Sequence, residues 1–539
     1  MIDQKTTVLI PSFKKSVAFQ DDLVKNLYGV SLVQRSIDKA IQLGIEILNI
    51  HLLTDSEEIA LIGSRNGVQL YLNQSLNWSE DYNSGPLGKY LSQATNSSEY
   101  TLILSPYAPL VETETYTKAL SALVESDKDI LKPYKHVNRR IFDNNGQNKL
   151  QGLFDSQKET HKIESKAFIF LKSKVFLENT KTNHSVFIWP VQNDLFEIES
   201  YQDWWVCEKL LQRKRIVFRI IGNNKIGTGH IYRALSLAHE ITDHEILFVC
   251  DTENSEVVNK LAGYEYWLSC YKYDEIVESI ITLKPDLVIN DILSTSKNDV
   301  YPLKKMGIKV VNFEDIGAGT KYADMVINEL YEEPIFEGDH ILWGSQYFFI
   351  RDEFTNARAH RFKKQLDTIL LTFGGTDQND LTSKIFYSIK DFCSKYGIQV
   401  HIVTGSGYAN FNKLKTEVDG MDNVKLTKAT GVISSIMEKA QIAIVSNGRT
   451  VYELSHMNIP SIVISQHKRE DTHNFACEEN GFLYQGVYKN GHTEKLVLDS
   501  LHKLFFDTDF RKKLFAKTTF HNFSANKKRV LAKIIALIE

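Results

Sequence analysis

The sequence predicts an α/β protein built from three successive series of buried strands alternating with amphipathic helices. Three observations carry that reading. Short apolar runs rich in β-branched residues recur at strand length, the segments between them place apolar residues at helical spacing, and glycine-containing loops follow directly on strands and open helices. Length agrees, since 539 residues at roughly 150 per domain ask for three or four domains. Hydrophobic residues make up 43% and charged residues 24%, enough apolar surface to close several cores and to exclude extensive disorder.

The first series occupies residues 1–213. Thr7 to Pro11, Ile45 to Leu53, Val68 to Leu72, Tyr100 to Leu104 and Ala167 to Leu171 read as buried strands. Leu32, Val33, Ile37, Ala40 and Ile41 recur at helical spacing. Ser56-Glu57-Glu58 opens a second helix with carboxylates in the first turn, where the helix dipole favours them, and Glu112 to Val124 forms a third. Strand and helix in alternation imply a parallel sheet covered on both faces.

The basic cluster Arg213-Lys214-Arg215 follows a helix carrying Trp204, Trp205, Leu210 and Leu211 and precedes a fresh strand, Ile216 to Ile221, so the main boundary is expected there. A second series, residues 214–355, has strands at Ile246 to Cys250, Leu287 to Ile289, Lys309 to Phe313 and Met325 to Ile327. A third, residues 356–539, has them at Thr368 to Phe373, His401 to Thr404, Ile442 to Val445 and Ser461 to Ile464. The two together suggest a pair of facing doubly wound lobes, with Arg351 to Lys364 as the crossing.

Charge and cysteine usage narrow the function classes. Lys and Arg number 63 against 67 Asp and Glu, a net charge of −4, which gives no global basic field for a nucleic-acid backbone, so no nucleic acid is expected as partner. Cys207, Cys250, Cys270, Cys393 and Cys477 are scattered, without a C-x-x-C pair or zinc-ligand spacing, which fits a reduced, cytoplasmic home. No uninterrupted apolar stretch approaches the 18 or so residues of a membrane span, so the chain is expected to be soluble and unexported.

Gly227-Thr228-Gly229-His230 follows the strand Ile216 to Ile221 through a short polar loop and opens the next helix. Glycines there let backbone N–H groups approach an anion at the helix start, and the histidine is delivered to the same spot; a glycine turn with a capping histidine would read the same way. In the third series, Ser446-Asn447-Gly448-Arg449-Thr450 comes directly after a strand and begins a helix. Amides, a hydroxyl and a guanidinium converge there as a diphosphate requires, and Glu453 one turn on is placed to accept from ribose hydroxyls. Thr372-Phe373-Gly374-Gly375-Thr376-Asp377 is another strand-to-glycine-loop junction facing the same cleft, with Gln466 and His473 after the last core strand.

Taken together, Gly227-Thr228-Gly229-His230-Ile231-Tyr232-Arg233, Asn312-Phe313-Glu314-Asp315, Phe373-Gly374-Gly375-Thr376-Asp377 and Gly448-Arg449-Thr450-Val451-Tyr452-Glu453 resemble the UDP-sugar hydrolase of pseudaminic-acid synthesis. They also resemble the related spore-coat polysaccharide glycosyltransferase-like proteins, both of GT-B architecture. The resemblance covers about residues 216 to 490. It implies a first lobe over 214–355 and a UDP-binding lobe over 356–539, with UDP held by Gly227, Gly229, Gly374, Gly375, Asn447, Gly448, Arg449, Thr450 and Glu453. It further implies His230 as general base or acid for water attacking the anomeric carbon, with Asp291 as a second candidate catalytic residue. The hydrolases tend to carry Asp-His where this chain reads Asn290-Asp291-Ile292, so hydrolysis and glycosyl transfer both stay open.

In the first domain, lysines on the loop after the first strand are placed to neutralise a triphosphate: Lys14, Lys15 and Lys25, with Asn26. With Thr54-Asp55-Ser56-Glu57-Glu58, Leu104-Ser105-Pro106-Tyr107-Ala108-Pro109-Leu110 and Phe196-Glu197-Ile198-Glu199 before Asp203-Trp204, residues 6 to 211 are similar to acylneuraminate cytidylyltransferases. That resemblance implies CMP transfer from CTP to the anomeric hydroxyl of a nonulosonic acid, such as a sialic or pseudaminic acid. CTP would bind at the lysines and Asn26, and Mg²⁺ at Glu197 and Glu199. The loop here reads Ser12-Phe13-Lys14-Lys15-Ser16, without the family's arginine, and the metal positions carry glutamate where aspartate is usual. A domain that binds nucleotide or partner enzymes without catalysis therefore stays as the alternative, and a homodimer is left open.

Overall fold

The computed structural model describes residues 5–14, 19, 21–74, 85–138, 160–176, 184–191, 196–222 and 229–539. The chain forms two compact units, Met1–Arg213 and Lys214–Glu539.

The first unit is built on one eight-stranded sheet: β1 (Thr6–Ser12), β2 (Ile50–Thr54), β3 (Gln69–Leu72), β4 (Tyr100–Leu104), β5 (Ile130–Asn138), β6 (Thr160–Glu164), β7 (Phe168–Lys172) and β8 (Val186–Pro190), in the order β8-β5-β7-β4-β1-β2-β3 with β6 on β5. Alternate residues serve opposite faces. Val8, Ile10, Leu52 and Leu102 join Leu32, Val33, Ile37, Tyr116 and Leu123 in one core, while Leu9 and Leu53 meet Leu87 and Leu91 on the other side. The Leu32–Gln42 helix starts where the Ser31 hydroxyl accepts the Gln34 N–H at 3.2 Å.

The first unit departs from expectation in two places. The sheet is mixed, because β7 runs antiparallel to both β4 and β5, and β6 antiparallel to β5. Lys132, Lys135 and His136 in β5 and His161, Lys162 and Glu164 in β6 hide those strands from an apolar-run reading. The run from Ile45 also does not enter the sheet at once. Ile47–Asn49 form a 3₁₀ turn closed by Asn49 N–H to the Glu46 carbonyl at 2.8 Å, and the strand begins only at Ile50.

The second unit contains two all-parallel sheets. The first lobe has β9 (Arg215–Ile220), β10 (Glu245–Asp251), β11 (Trp267–Tyr271), β12 (Leu287–Asp291), β13 (Lys309–Phe313), β14 (Met325–Asn328) and β15 (Ile341–Trp343), in the order β11-β10-β9-β12-β13-β14-β15. The second has β16 (Thr368–Thr372), β17 (Gln399–Thr404), β18 (Val424–Lys428), β19 (Ile442–Ser446), β20 (Ser461–Ser465) and β21 (Phe482–Val487), in the order β18-β17-β16-β19-β20-β21. In both, strand order reverses beside the first strand, which opens a crevice at the carboxyl ends of the strands, where ligands of such sheets bind.

The chain crosses between the lobes twice. After the second lobe, the Asn526–Ile535 helix returns to the first, burying Val530 and Ile534 with Ile216, Phe218 and Phe248. Asn526 pins the return by donating to the carbonyls of Ser345 at 3.1 Å and Phe348 at 2.7 Å. In its packing, the last part of the expected 356–539 lobe therefore belongs with the first lobe.

Candidate functional site

The first-lobe half of the site follows from strand register. Ile220, at the end of β9, pairs with Asp291, at the end of β12, so the aspartate lies beside the loop leaving β9. Gly227 lies outside the described residues; Gly229 and His230 form the first turn of the Gly229–Ala238 helix. His230 Nδ1 is 2.5 Å from Asp291 Oδ1, and Arg233, one turn on, grips the same carboxylate with Nε at 2.7 Å and Nη2 at 2.5 Å. Burial alone would raise the Asp291 carboxyl, but Arg233 and His230 hold it well below the usual carboxylate range. As Asp291 stays ionised, Nδ1 is the donor, and Nε2 makes no hydrogen bond to any described residue.

Behind this pair sits a buried charge cluster. Arg233 Nη1 donates to Glu329 at 2.8 Å and lies 3.7 Å from Glu314, whose carboxylate accepts the Glu329 N–H at 2.8 Å and the Leu330 N–H at 3.3 Å. Burial pushes the Glu314 carboxyl up to about 7 against the opposing pull of Arg233 and Arg449. A carboxyl raised in the folded state binds more protons there than in the unfolded chain. Its contribution is fully present at low pH and lost as pH climbs from about 4.5 towards about 7. Glu314→Gln is expected to flatten that fall in stability, which for one proton is at most about 1.4 kcal/mol per pH unit. Urea midpoints measured from about pH 5 to 8 check it, and identical slopes for both proteins would refute it.

The second lobe supplies most of the lining of a cavity of about 230 Å³, to which the first lobe adds Gly229, Tyr232, Lys260 and Arg351. Gly374 (φ 79°) and Gly375 turn the chain after β16, and Gly405 after β17 packs so tightly on them that a Cβ there would lie 2.1 Å from the Gly375 carbonyl oxygen. Gly405→Ala should therefore push the two glycine loops apart, lowering stability by about 1–3 kcal/mol and weakening nucleotide binding; unchanged thermal unfolding would show that the loops absorb a methyl. Of the residues expected at the anion site, Gly229, Gly374, Gly375, Arg449, Thr450 and Glu453 line the cavity.

Others do different work. Asn447 is buried and turns away, donating to the carbonyls of Glu470 at 2.7 Å and His473 at 3.0 Å, which clamps the loop after β20; Gly448 caps the Arg449–His456 helix. The Arg449 guanidinium does not stand free for a diphosphate. It is ion-paired with Glu329 of the first lobe, donates to the Phe349 carbonyl at 2.8 Å and lies 4.5 Å above the Phe348 ring. Burial, with Arg233 nearby, lowers it to about 10. Glu453 is also engaged, taking Arg351 Nε at 2.7 Å and Nη2 at 3.1 Å.

Sequence reasoning missed Tyr232, Lys260, Arg351 and the Thr404-Gly405-Ser406 turn, all of which line the cavity. Only the last carried a signal, a glycine between hydroxyls directly after a strand.

In the first unit, Lys14 is not free for a triphosphate: its Nζ lies 2.6 Å from Glu58 and 3.3 Å from Asp21, and its backbone N–H donates to Asp55 at 2.7 Å. Lys15 lies outside the described residues. Lys25 is exposed, 5.4 Å over the Tyr201 ring, and Asn26 is exposed in a two-residue hairpin strand. Glu197 accepts from the Ser165 hydroxyl at 2.6 Å and the Lys166 N–H at 3.2 Å, while Glu199 is exposed. Among the described residues no three acidic, histidine or cysteine side chains converge as metal ligands. With Glu197 held by Ser165 and Lys166 and Glu199 exposed, this pair does not fit a Mg²⁺ site by itself.

The second unit, two doubly wound lobes around a cleft, has GT-B architecture. Residues 368–528 match the glycosyltransferase family 28 C-terminal domain. The chain is 27% identical over 266 residues to an uncharacterized protein of Methanocaldococcus jannaschii, covering 46% of this chain and 54% of that one, so it spans about half the length of this relative. It is 25% identical to the spore coat polysaccharide biosynthesis protein SpsG of Bacillus subtilis, over 46% of this chain and 75% of the relative. With the UDP-2,4-diacetamido-2,4,6-trideoxy-beta-L-altropyranose hydrolase of Campylobacter jejuni it shares 26% identity, over 44% of this chain and 87% of the relative. Solved structures with a similar path include Acinetobacter baumannii MurG (13% identity, 60% of this chain and 99% of that one, TM-score 0.45). Another is a CMP:2-keto-3-deoxy-manno-octonic acid synthetase (11% identity, 38% and 98%, TM-score 0.30). No helix among the described residues is long and apolar enough to cross a membrane.

Proposed function

We propose that residues 214–539 hydrolyse a UDP-sugar at its anomeric carbon in surface-polysaccharide or nonulosonic-acid synthesis. The observation that carries this is the His230–Asp291 pair, on the first turn of the helix whose Gly229 and Tyr232 line the cavity. Asp291 fixes the imidazole through Nδ1, leaving Nε2 to take a proton from water as the oxygen attacks the anomeric carbon. The bond from that carbon to the β-phosphate oxygen breaks with its electron pair leaving on UDP, and the proton passes from the imidazolium to solvent. Asp291 stabilises the imidazolium while it lasts. The glycine turns after β16 and β17 let backbone approach the diphosphate, with the Thr450 hydroxyl beside them.

A second reading uses the same cleft with a sugar hydroxyl in place of water. It is favoured by the family 28 match over 368–528 and by the Asn290-Asp291-Ile292 sequence at the end of β12. For residues 1–213 the resemblance to cytidylyltransferases supports nucleotide binding, with CMP transfer from CTP to a nonulosonic acid as the associated activity. The engagement of Lys14 and Glu197 weighs against catalysis and favours the alternative in which this domain binds partner enzymes. Incubating the protein with UDP-sugars, with and without acceptor sugars, and separately with CTP, Mg²⁺ and nonulosonic acids, followed by mass spectrometry, tests all three. Free sugar without an acceptor supports hydrolysis, and product only with an acceptor replaces it with transfer. CMP-sugar formation assigns catalysis to the first unit.

A further inference from the structure

Three cations line the second unit's cavity among its described residues, and two are already neutralised. Arg351 lies between Glu453 at 2.7 Å and Glu353 at 2.9 Å, and Arg449 is paired with Glu329. Lys260 is the third. It comes from the short Ser255–Leu261 helix of the first lobe, is half-buried, and has no carboxylate partner among the described residues. Its Nζ stands 5.4 Å from the centroid of the Tyr232 ring, which Arg351 also approaches at 5.3 Å. The ring attracts both cations, yet among the described residues only the arginine has a carboxylate to answer its charge.

From the second lobe the cavity receives what an anion needs and cannot itself neutralise: the glycine turns at Gly374, Gly375 and Gly405 and the hydroxyls of Thr404, Ser406 and Thr450. A nucleoside diphosphate brings at least two negative charges into this space, and hydrogen bonds to neutral donors leave that charge uncompensated. We infer that Lys260 is the cation that meets the diphosphate, carried from the first lobe onto a nucleotide held by the second. The ligand thereby tethers the two lobes through its phosphates. Lys260 is a positioning residue for the anomeric carbon, since it holds the leaving group rather than the water. This rests on the UDP-sugar reading of the cleft.

Calorimetric titration of the full chain with uridine, UDP and a UDP-sugar, for wild type, Lys260→Gln and Lys260→Arg, tests it. Lys260→Gln should bind UDP about tenfold more weakly, the loss of one charge-assisted hydrogen bond, and uridine unchanged. Lys260→Arg should stay within about threefold of wild type, because charge is retained. Equal UDP affinity in Lys260→Gln overturns the inference, as does equal weakening of uridine and UDP, which would mean a structural role. Weakening confined to the UDP-sugar would put the anion on the sugar and also overturn it. Wild-type protein that binds neither UDP nor UDP-sugar overturns the underlying reading, a failure seen without any variant.

Discussion

Replacing His230 with alanine should lower turnover of the UDP-sugar by about 10²- to 10⁴-fold, the usual contribution of a positioned general base, while UDP affinity stays within about twofold. The division follows from the structure: His230 is not among the described residues that line the cavity, and the carboxylate that its Nδ1 meets, Asp291, belongs to the first lobe. Its removal takes away the base and leaves the glycine turns that face the nucleotide. Asp291→Asn should lower turnover as well, because an amide no longer fixes the Nδ1–H tautomer or stabilises the imidazolium, but it should also reduce stability by unpairing Arg233. Steady-state kinetics beside UDP calorimetry separates the effects. Full turnover by His230→Ala would leave the histidine a helix cap and remove the proposed base.

Much of this arrangement is legible in the sequence because it is local. A β-branched run followed by glycines marks both the strand and the loop at its end, so the strands ending at Ile220, Thr372 and Ser446 and their loops are found together. The parallel order needs no more than alternation. What escapes is long-range. Nothing near Arg449 announces that its charge goes to Glu329, nor near Glu453 that Arg351 will grip it; these pairs exist because two lobes meet, and their members are about a hundred residues apart. Local spacing therefore reads both side chains as ligand-facing when both are partly spent on holding the cleft. The antiparallel direction of β7 escapes for a different reason: the run Ala167 to Leu171 reads as a strand, but its neighbour β5, and β6 paired to β5, are too polar to register as strands. Asn447 shows a third limit, since a position after a strand fixes where the backbone goes but not which way a side chain turns.

Arg449→Ala should accordingly act first on stability, lowering it by about 3–5 kcal/mol, the range for breaking a buried ion pair from one side. Wild-type Arg449 and Arg233 share the carboxylates of Glu329, Glu314 and Asp291, all at least 95% buried. Without Arg449, three buried acids face one guanidinium, and Glu329, whose Oε2 already lacks a hydrogen-bond partner among the described residues, loses the cation paired with its Oε1. Two signatures distinguish this from loss of a phosphate contact. Glu329→Gln in the same chain should recover at least half the lost stability, because it removes the charge left over. The deficit should also be larger at about pH 8 than at about pH 6, since Glu314, pushed up to about 7, takes a proton at the lower pH and relieves the cluster. Urea unfolding of wild type, Arg449→Ala and the double variant at both pH values provides the measurement. Wild-type stability in Arg449→Ala combined with greatly weakened UDP binding would instead return the guanidinium to the diphosphate.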